Sequence, residues 1–152
     1  MQLTKDFSLE ALIKSDTATR KGINNTPNEE QINNLKKLCI SVLQPLQDAL
    51  GHKLTINSGF RSPELNKAIG GSGTSQHCKG MACDIESPKI SNKELFAKIL
   101  DLNVPFDQLI YEFGNWIHVS FNEGKNREQK LIAKIINGKT QYLPYTNPNS
   151  LT

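Results

Sequence analysis

Disulfide-forming cysteine is scarce in this chain. Its 152 residues hold three cysteines, Cys39, Cys78 and Cys83, an odd number where small secreted scaffolds carry dense, even sets, so a disulfide framework is excluded. No segment approaches the roughly 20 apolar residues of a membrane span. The start, Met1-Gln2-Leu3-Thr4-Lys5-Asp6-Phe7, lacks the apolar run of about 7–15 residues of a signal peptide, so the expectation is a protein made and folded in a reducing cytoplasm. The 18 Lys and Arg are scattered and the net charge is +3, so the basic stripe of a nucleic-acid binder is missing. Gly70-Gly71-Ser72-Gly73-Thr74 is not followed by the Gly-Lys-Ser/Thr of a phosphate-cradling loop. Internal repeats and long linkers are also absent. Hydrophobic residues at 37% and aromatics at 7% are low but globular, and the length suits one domain with a working core.

What is present reads as helices first and strands later. Ser8 caps a short helix reaching about Lys14. Thr26-Pro27-Asn28-Glu29 combines a capping box with proline at the first helical position. The helix after it carries Ile32, Leu35, Leu38, Cys39, Val42, Leu43 and Leu46 at a period near 3.6. Pro45 is expected to kink or interrupt that helix, and Gly51 to end it. A strand over 53–58 follows, then a brief helix from Ser62-Pro63 to about Ile69. Met81–Glu86 reads as a strand, and Ser91-Asn92-Lys93-Glu94 as a capping box opening another helix. Residues 108–112 and 116–121 read as an antiparallel hairpin. Residues 130–136 and 139–143 form a second one around Asn137-Gly138, the strongest two-residue hairpin signal. The domain is expected over 1–143, with residues 144–152 a loose tail.

Chemistry concentrates in Ser75-Gln76-His77-Cys78-Lys79-Gly80-Met81-Ala82-Cys83-Asp84 and in Trp116-Ile117-His118-Val119-Ser120. His77, Asp84 and His118 offer three metal-type ligands. A structural zinc is closed by four protein ligands, whereas a hydrolytic one takes three and keeps its fourth position for water. Cys78 and Cys83 are rivals, since thiolates bind zinc well. On a strand, however, Cys83 and Asp84 point to opposite faces. The same alternation groups Trp116, His118 and Ser120 against Ile117, Val119 and Phe121, with Trp116 either lining a cleft or serving the core. His52, in a polar turn, is a poor ligand. With both other histidines used on metal, no Ser-His-Asp arrangement remains.

A second motif, Ser58-Gly59-Phe60-Arg61-Ser62, precedes Asn66 and Gly70-Gly71-Ser72. In order with the ligand segments, these residues resemble the zinc D-Ala-D-Ala carboxypeptidases and the related L-alanyl-D-glutamate endopeptidases of bacteria and bacteriophages. The metal core also resembles that of the hedgehog signalling domain. The resemblance covers about residues 1–122, densest from Thr55 to Phe121. It implies an α+β, hedgehog/D-Ala-D-Ala-peptidase-like fold, an antiparallel sheet with helices packed on one side. It further implies a Zn²⁺ ion on His77, Asp84 and His118, and hydrolysis of peptidoglycan stem peptides.

Many relatives carry the proton-accepting Glu three residues before the last histidine; here that position is Asn115. The nearest upstream carboxylate is Glu112, at the spacing the hedgehog-type site shows, within an Asp107-to-Glu112 run that the two share. Glu112 is therefore the candidate base. Arg61, whose guanidinium suits a carboxylate, is implied to hold a substrate carboxylate or the developing oxyanion; a salt bridge to an acidic residue such as Glu64 is its alternative. Ser75 and Trp116 are further candidate substrate contacts, with Ser75 alternatively setting its loop. A wall substrate would be reached through lysis, particle delivery or non-classical export, by a monomer unless the chain is part of a phage particle. The other readings are a non-catalytic, zinc-containing wall-binding module and a structural phage-particle protein.

Overall fold

The computed structural model describes residues 1–151. Helices α1 (Leu9–Ile13) and α2 (Asp16–Lys21) come first, capped by Ser8 and Ser15, whose side chains accept from Ala11 N and Ala18 N. Helix α2 was not anticipated, although Ser15 before it is an ordinary start signal and the left-handed Gly22 after it an ordinary stop signal. Helix α3 (Glu29–Leu38) starts two positions later than expected. Asn28 rather than Thr26 is its cap, exchanging hydrogen bonds with Gln31 at 2.8 Å each way, and Pro27 precedes the cap.

The interruption expected at Pro45 takes the form of a wider turn. A π-helical turn at Cys39–Leu43 links α3 to α4 (Gln44–Leu50), and Gln44 N bonds back to Cys39 O. The wider turn ends just before the residue that has no amide to donate and whose ring would crowd the preceding turn. The helical path therefore continues to the left-handed Gly51. Strand β1 (Thr55–Ser58), α5 (Pro63–Ala68), a 3₁₀ turn (Gln76–Lys79), β2 (Ala82–Glu86), α6 (Asn92–Asp101), β3 (Gln108–Glu112), β4 (Trp116–Ser120), β5 (Gln129–Ile136) and β6 (Lys139–Pro144) complete the order. The 3₁₀ turn was not anticipated.

The strands form one six-stranded sheet, β1-β2-β4-β3-β5-β6. All pairs are antiparallel except β3 with β5. The fold is α+β, as the sequence implied. Asn137 and Gly138 both have positive φ and join Ile136 to Lys139 as the Asn-Gly signal required.

One sheet face, with Cys83, Ile85, Leu109, Tyr111, Ile117 and Val119, packs into a core shared with Leu35, Leu38, Leu46, Leu95 and Phe96. The segment after Pro144 also differs from expectation. Tyr145 packs on Phe96 with ring centroids 5.0 Å apart, and Leu151 is buried in the core. Two apolar side chains in an otherwise polar stretch tie it down. Among the described residues no helix is long and apolar enough to cross a membrane.

Candidate metal centre and cleft

The opposite sheet face is where the candidate ligands meet. Cross-strand pairing puts Asp84 opposite His118 and His118 opposite Ile110. A register shift in β1 between Ile56 and Ser58 brings Ser58 beside Asp84; bulges of this kind re-aim chain next to functional sites. His77 comes from the 3₁₀ turn rather than from a strand. That turn is set by Ser75, whose Oγ accepts from His77 N at 3.2 Å, and closed by the left-handed Gly80.

The ligand atoms of His77, Asp84 and His118 lie within 4.8 Å of one another. Asp84 Oδ1 is 3.2 Å from both His77 Nε2 and His118 Nδ1. Two atoms each about 2.0–2.2 Å from one tetrahedral ion stand about 3.4 Å apart. His77 Nδ1 donates to the Gly59 carbonyl at 2.8 Å, which fixes the tautomer and leaves Nε2 with its lone pair. That Nε2 is buried without a hydrogen-bond partner and faces a carboxylate oxygen, two electron-rich atoms that a cation between them would satisfy. An imidazole oriented through its other nitrogen is the usual support of a metal-ligating histidine. The donor set fits a divalent zinc. Gly59 must be glycine because a Cβ there would run into the Leu12 backbone.

Burial works against ionisation of Asp84, but the His118 and His77 rings beside it outweigh that penalty and hold the carboxyl well below the usual range. Neither rival thiol joins this group. Cys83 lies in the core on the other face, and burial, with Asp84 and Cys39 adding to it, pushes its thiol far up. Cys78 is half-buried, and its thiol too is raised by burial.

Arg61 reaches Asp84 rather than Glu64. Its Nη2 is 3.4 Å from Asp84 Oδ2, the oxygen not turned to the histidines. Nε donates to Ser58 Oγ at 3.0 Å and Nη1 to Asn66 Oδ1 at 2.9 Å. Three of the five guanidinium N–H groups are thus engaged. A Cβ on Gly71 would collide with Asn66 Oδ1, so the Gly-Gly-Ser loop seals this cradle.

Glu112 is buried and lines the same cleft, of about 720 Å³, as Arg61, Ser75, Trp116 and the triad. Burial pushes its carboxyl up to about 7; His118 and Arg61 pull the other way, and Asp84 adds to the rise. Asn115 is exposed in the hairpin turn. Its N–H bonds to Glu112 O at 2.9 Å, with Phe113 and Gly114 both at positive φ. Position 115 therefore faces solvent, while the Glu112 carboxylate is buried.

A sequence model of the peptidase M15 family matches residues 5–120. The chain belongs to that family. M15 peptidases are zinc-dependent metallopeptidases and include D-Ala-D-Ala carboxypeptidases and L-Ala-D-Glu peptidases. A search of curated proteins finds no match.

Sequence reasoning did not find Asp107, Arg127, Leu131 or Tyr142 as parts of the site. Asp107 accepts from Arg127 Nε, Nη2 and backbone N, and from Gln76 Nε2, all at 2.8–2.9 Å. Arg127's hydrogen bonds hold its carboxyl down at about 2 against burial. Arg127, Leu131 and Tyr142 line the cleft through the parallel β3–β5 pairing, a long-range contact without a local signal.

Proposed function

We propose that this M15 peptidase hydrolyses peptide bonds in peptidoglycan stem peptides, with Glu112 as the base and Arg61 as the anchor for an anionic group of the substrate. One observation carries this reading: a buried carboxylate raised to about 7 shares an open cleft with a three-ligand metal set. A bound zinc would supply Lewis acidity toward a carbonyl oxygen and toward water.

The chain's own groups would do the rest. Glu112 Oε would take the proton of the attacking water and pass it to the departing amine. A base is most effective with a pKa near the working pH; a divalent charge beside it would draw Glu112 below 7. The two guanidinium N–H groups of Arg61 left after Ser58, Asn66 and Asp84 would hold a substrate carboxylate or the carbonyl oxygen as it gains charge. Trp116, half-buried at the cleft edge, would pack on the peptide. Ser75 would act mainly by setting the turn that carries His77.

The test is digestion of purified muropeptides by zinc-loaded protein, read by mass spectrometry. Release of terminal D-Ala would establish carboxypeptidase action, and a cut between L-Ala and D-Glu endopeptidase action. Intact muropeptides of every chemotype at full zinc occupancy would overturn the proposal and favour a wall-binding module.

A further inference from the structure

We propose that Tyr142 and Leu131, on the β5–β6 hairpin, form a subsite that takes an aliphatic side chain of the substrate peptide. The proposal rests on the peptidase reading above and adds to it where selectivity resides. The hairpin lies beyond residues 5–120, the span the family matches, yet it builds one wall of the cleft.

Two cross-strand rows on the cleft face show how. One runs Asp84–His118–Ile110–Leu131 across β2, β4, β3 and β5. The other runs Trp116–Glu112–Ala133–Tyr142 across β4, β3, β5 and β6. Residues in one row share a face. Leu131 therefore sits in the row of two metal ligands, and Tyr142 in the row of Glu112, with only the small Ala133 between them. Strand alternation sends Lys130, Lys134 and Lys139 to the other face, so the cleft side of the hairpin carries no charge.

The cleft thus has two unlike sides. Arg61, Ser75 and Gln76 line one, and on the other Ile110, Leu131 and Tyr142 supply apolar surface beside Gln108, Gln129 and Arg127. An extended peptide with charged groups on one side and an aliphatic stem on the other fits between them. Tyr142 is 55% exposed, more than the fold requires of an aromatic ring, and available to cover a ligand.

The wall is also fixed relative to the metal ligands. Arg127, two residues before β5, grips both oxygens of Asp107, and Gln129 N bonds to Asp107 O at 2.9 Å. The same carboxylate accepts from Gln76, the residue before His77. One buried carboxylate therefore references the hairpin and the ligand-bearing turn to each other, the rigid support that a selective site needs.

Zinc-loaded Glu112→Gln protein, used to prevent turnover, is titrated by calorimetry with L-Ala-γ-D-Glu-L-norleucine and with L-Ala-γ-D-Glu-glycine. Norleucine carries the aliphatic stem of lysine without its charge. The norleucine peptide should bind about tenfold tighter. Adding Tyr142→Ala should reduce that preference to about twofold or less, with zinc content and thermal midpoint retained because the residue is exposed. Tyr142→Phe should keep most of it.

Equal binding of the two peptides, binding of neither, or an unchanged preference in Tyr142→Ala overturns the subsite. If the wild type cleaves no stem peptide but a Tyr142-dependent preference is present, the subsite stands and the peptidase reading falls. If the wild type cleaves and the preference is absent, the reverse holds.

Discussion

The two faces of β2, β3 and β4 are made from alternate residues of the same short strands, and they do opposite work. Cys83, Ile85, Leu109, Tyr111, Ile117 and Val119 point into the helix-packed core. Asp84, Ile110, Glu112, Trp116 and His118 point into the cleft. A slip of one residue would exchange the faces, exposing the apolar set and burying the ligands. Apolar packing on one side therefore fixes the register that brings the candidate metal ligands together on the other. Stability and chemistry are held by neighbours in sequence that never touch the same surroundings, so they can be broken separately.

The largest separation should come from Glu112. Glu112→Gln should keep zinc and lose about 10²–10⁴-fold in kcat, the usual cost of removing a general base, measured on muropeptides under saturating substrate. Unchanged turnover would assign the proton transfer elsewhere. On the other face, Ile117→Ala should cost about 2–5 kcal/mol of stability in denaturant melts while the surviving folded fraction still binds zinc. A smaller loss would mean that β4 is pinned by something other than its core packing.

Arg61 bridges the two kinds of role, because it supports Asp84 and also faces the cleft. Arg61→Lys should reduce kcat/KM by the equivalent of roughly 2–4 kcal/mol; lysine cannot reproduce the planar fork. Normal cleavage by a folded variant would leave Arg61 a purely structural partner of Asp84, Ser58 and Asn66.

The smallest effect is on pH-dependent stability. Glu112 titrates near 7 when folded, against about 4.3 for an unfolded chain. Its raised value means that the stability it contributes is complete below about 4.3 and lost as pH rises through 7. Metal-free Glu112→Gln should therefore melt higher than metal-free wild type at pH 8 and at nearly the same temperature at pH 4. Parallel melting curves across that range would contradict the burial of Glu112 as a strained carboxylate.

The sequence exposed these features unevenly, and for physical reasons. The candidate ligands were readable because zinc takes few residue types, and the fold brings His77, Asp84 and His118 together. Alternation alone separated Cys83 from Asp84, and Trp116 and His118 from Ile117 and Val119. Caps were readable to within a residue or two: Asn28 displaced Thr26 because its side chain and Gln31 could satisfy each other's backbone. Pro45 was recognised as incompatible with a regular turn, but nothing local specified a π-turn as the accommodation. The hairpin side of the cleft was hidden because the parallel pairing of β5 with β3 depends on a chain that leaves β4 and crosses β3. The docking of Tyr145 and Leu151 was hidden for a similar reason, two apolar residues giving too little periodicity to mark a packed segment. Arg61's partner was misplaced because Glu64 is near in sequence and Asp84 is near only in space.

Metal content provides the most direct test of the two-face account. Wild type, His118→Ala and Cys83→Ala are purified, dialysed against trace zinc and measured by elemental mass spectrometry alongside thermal melts. The account predicts about one zinc per wild-type chain, a sharp loss of zinc from folded His118→Ala, and full zinc in the folded fraction of a destabilised Cys83→Ala. Zinc retained without His118, or lost only with Cys83, would contradict it.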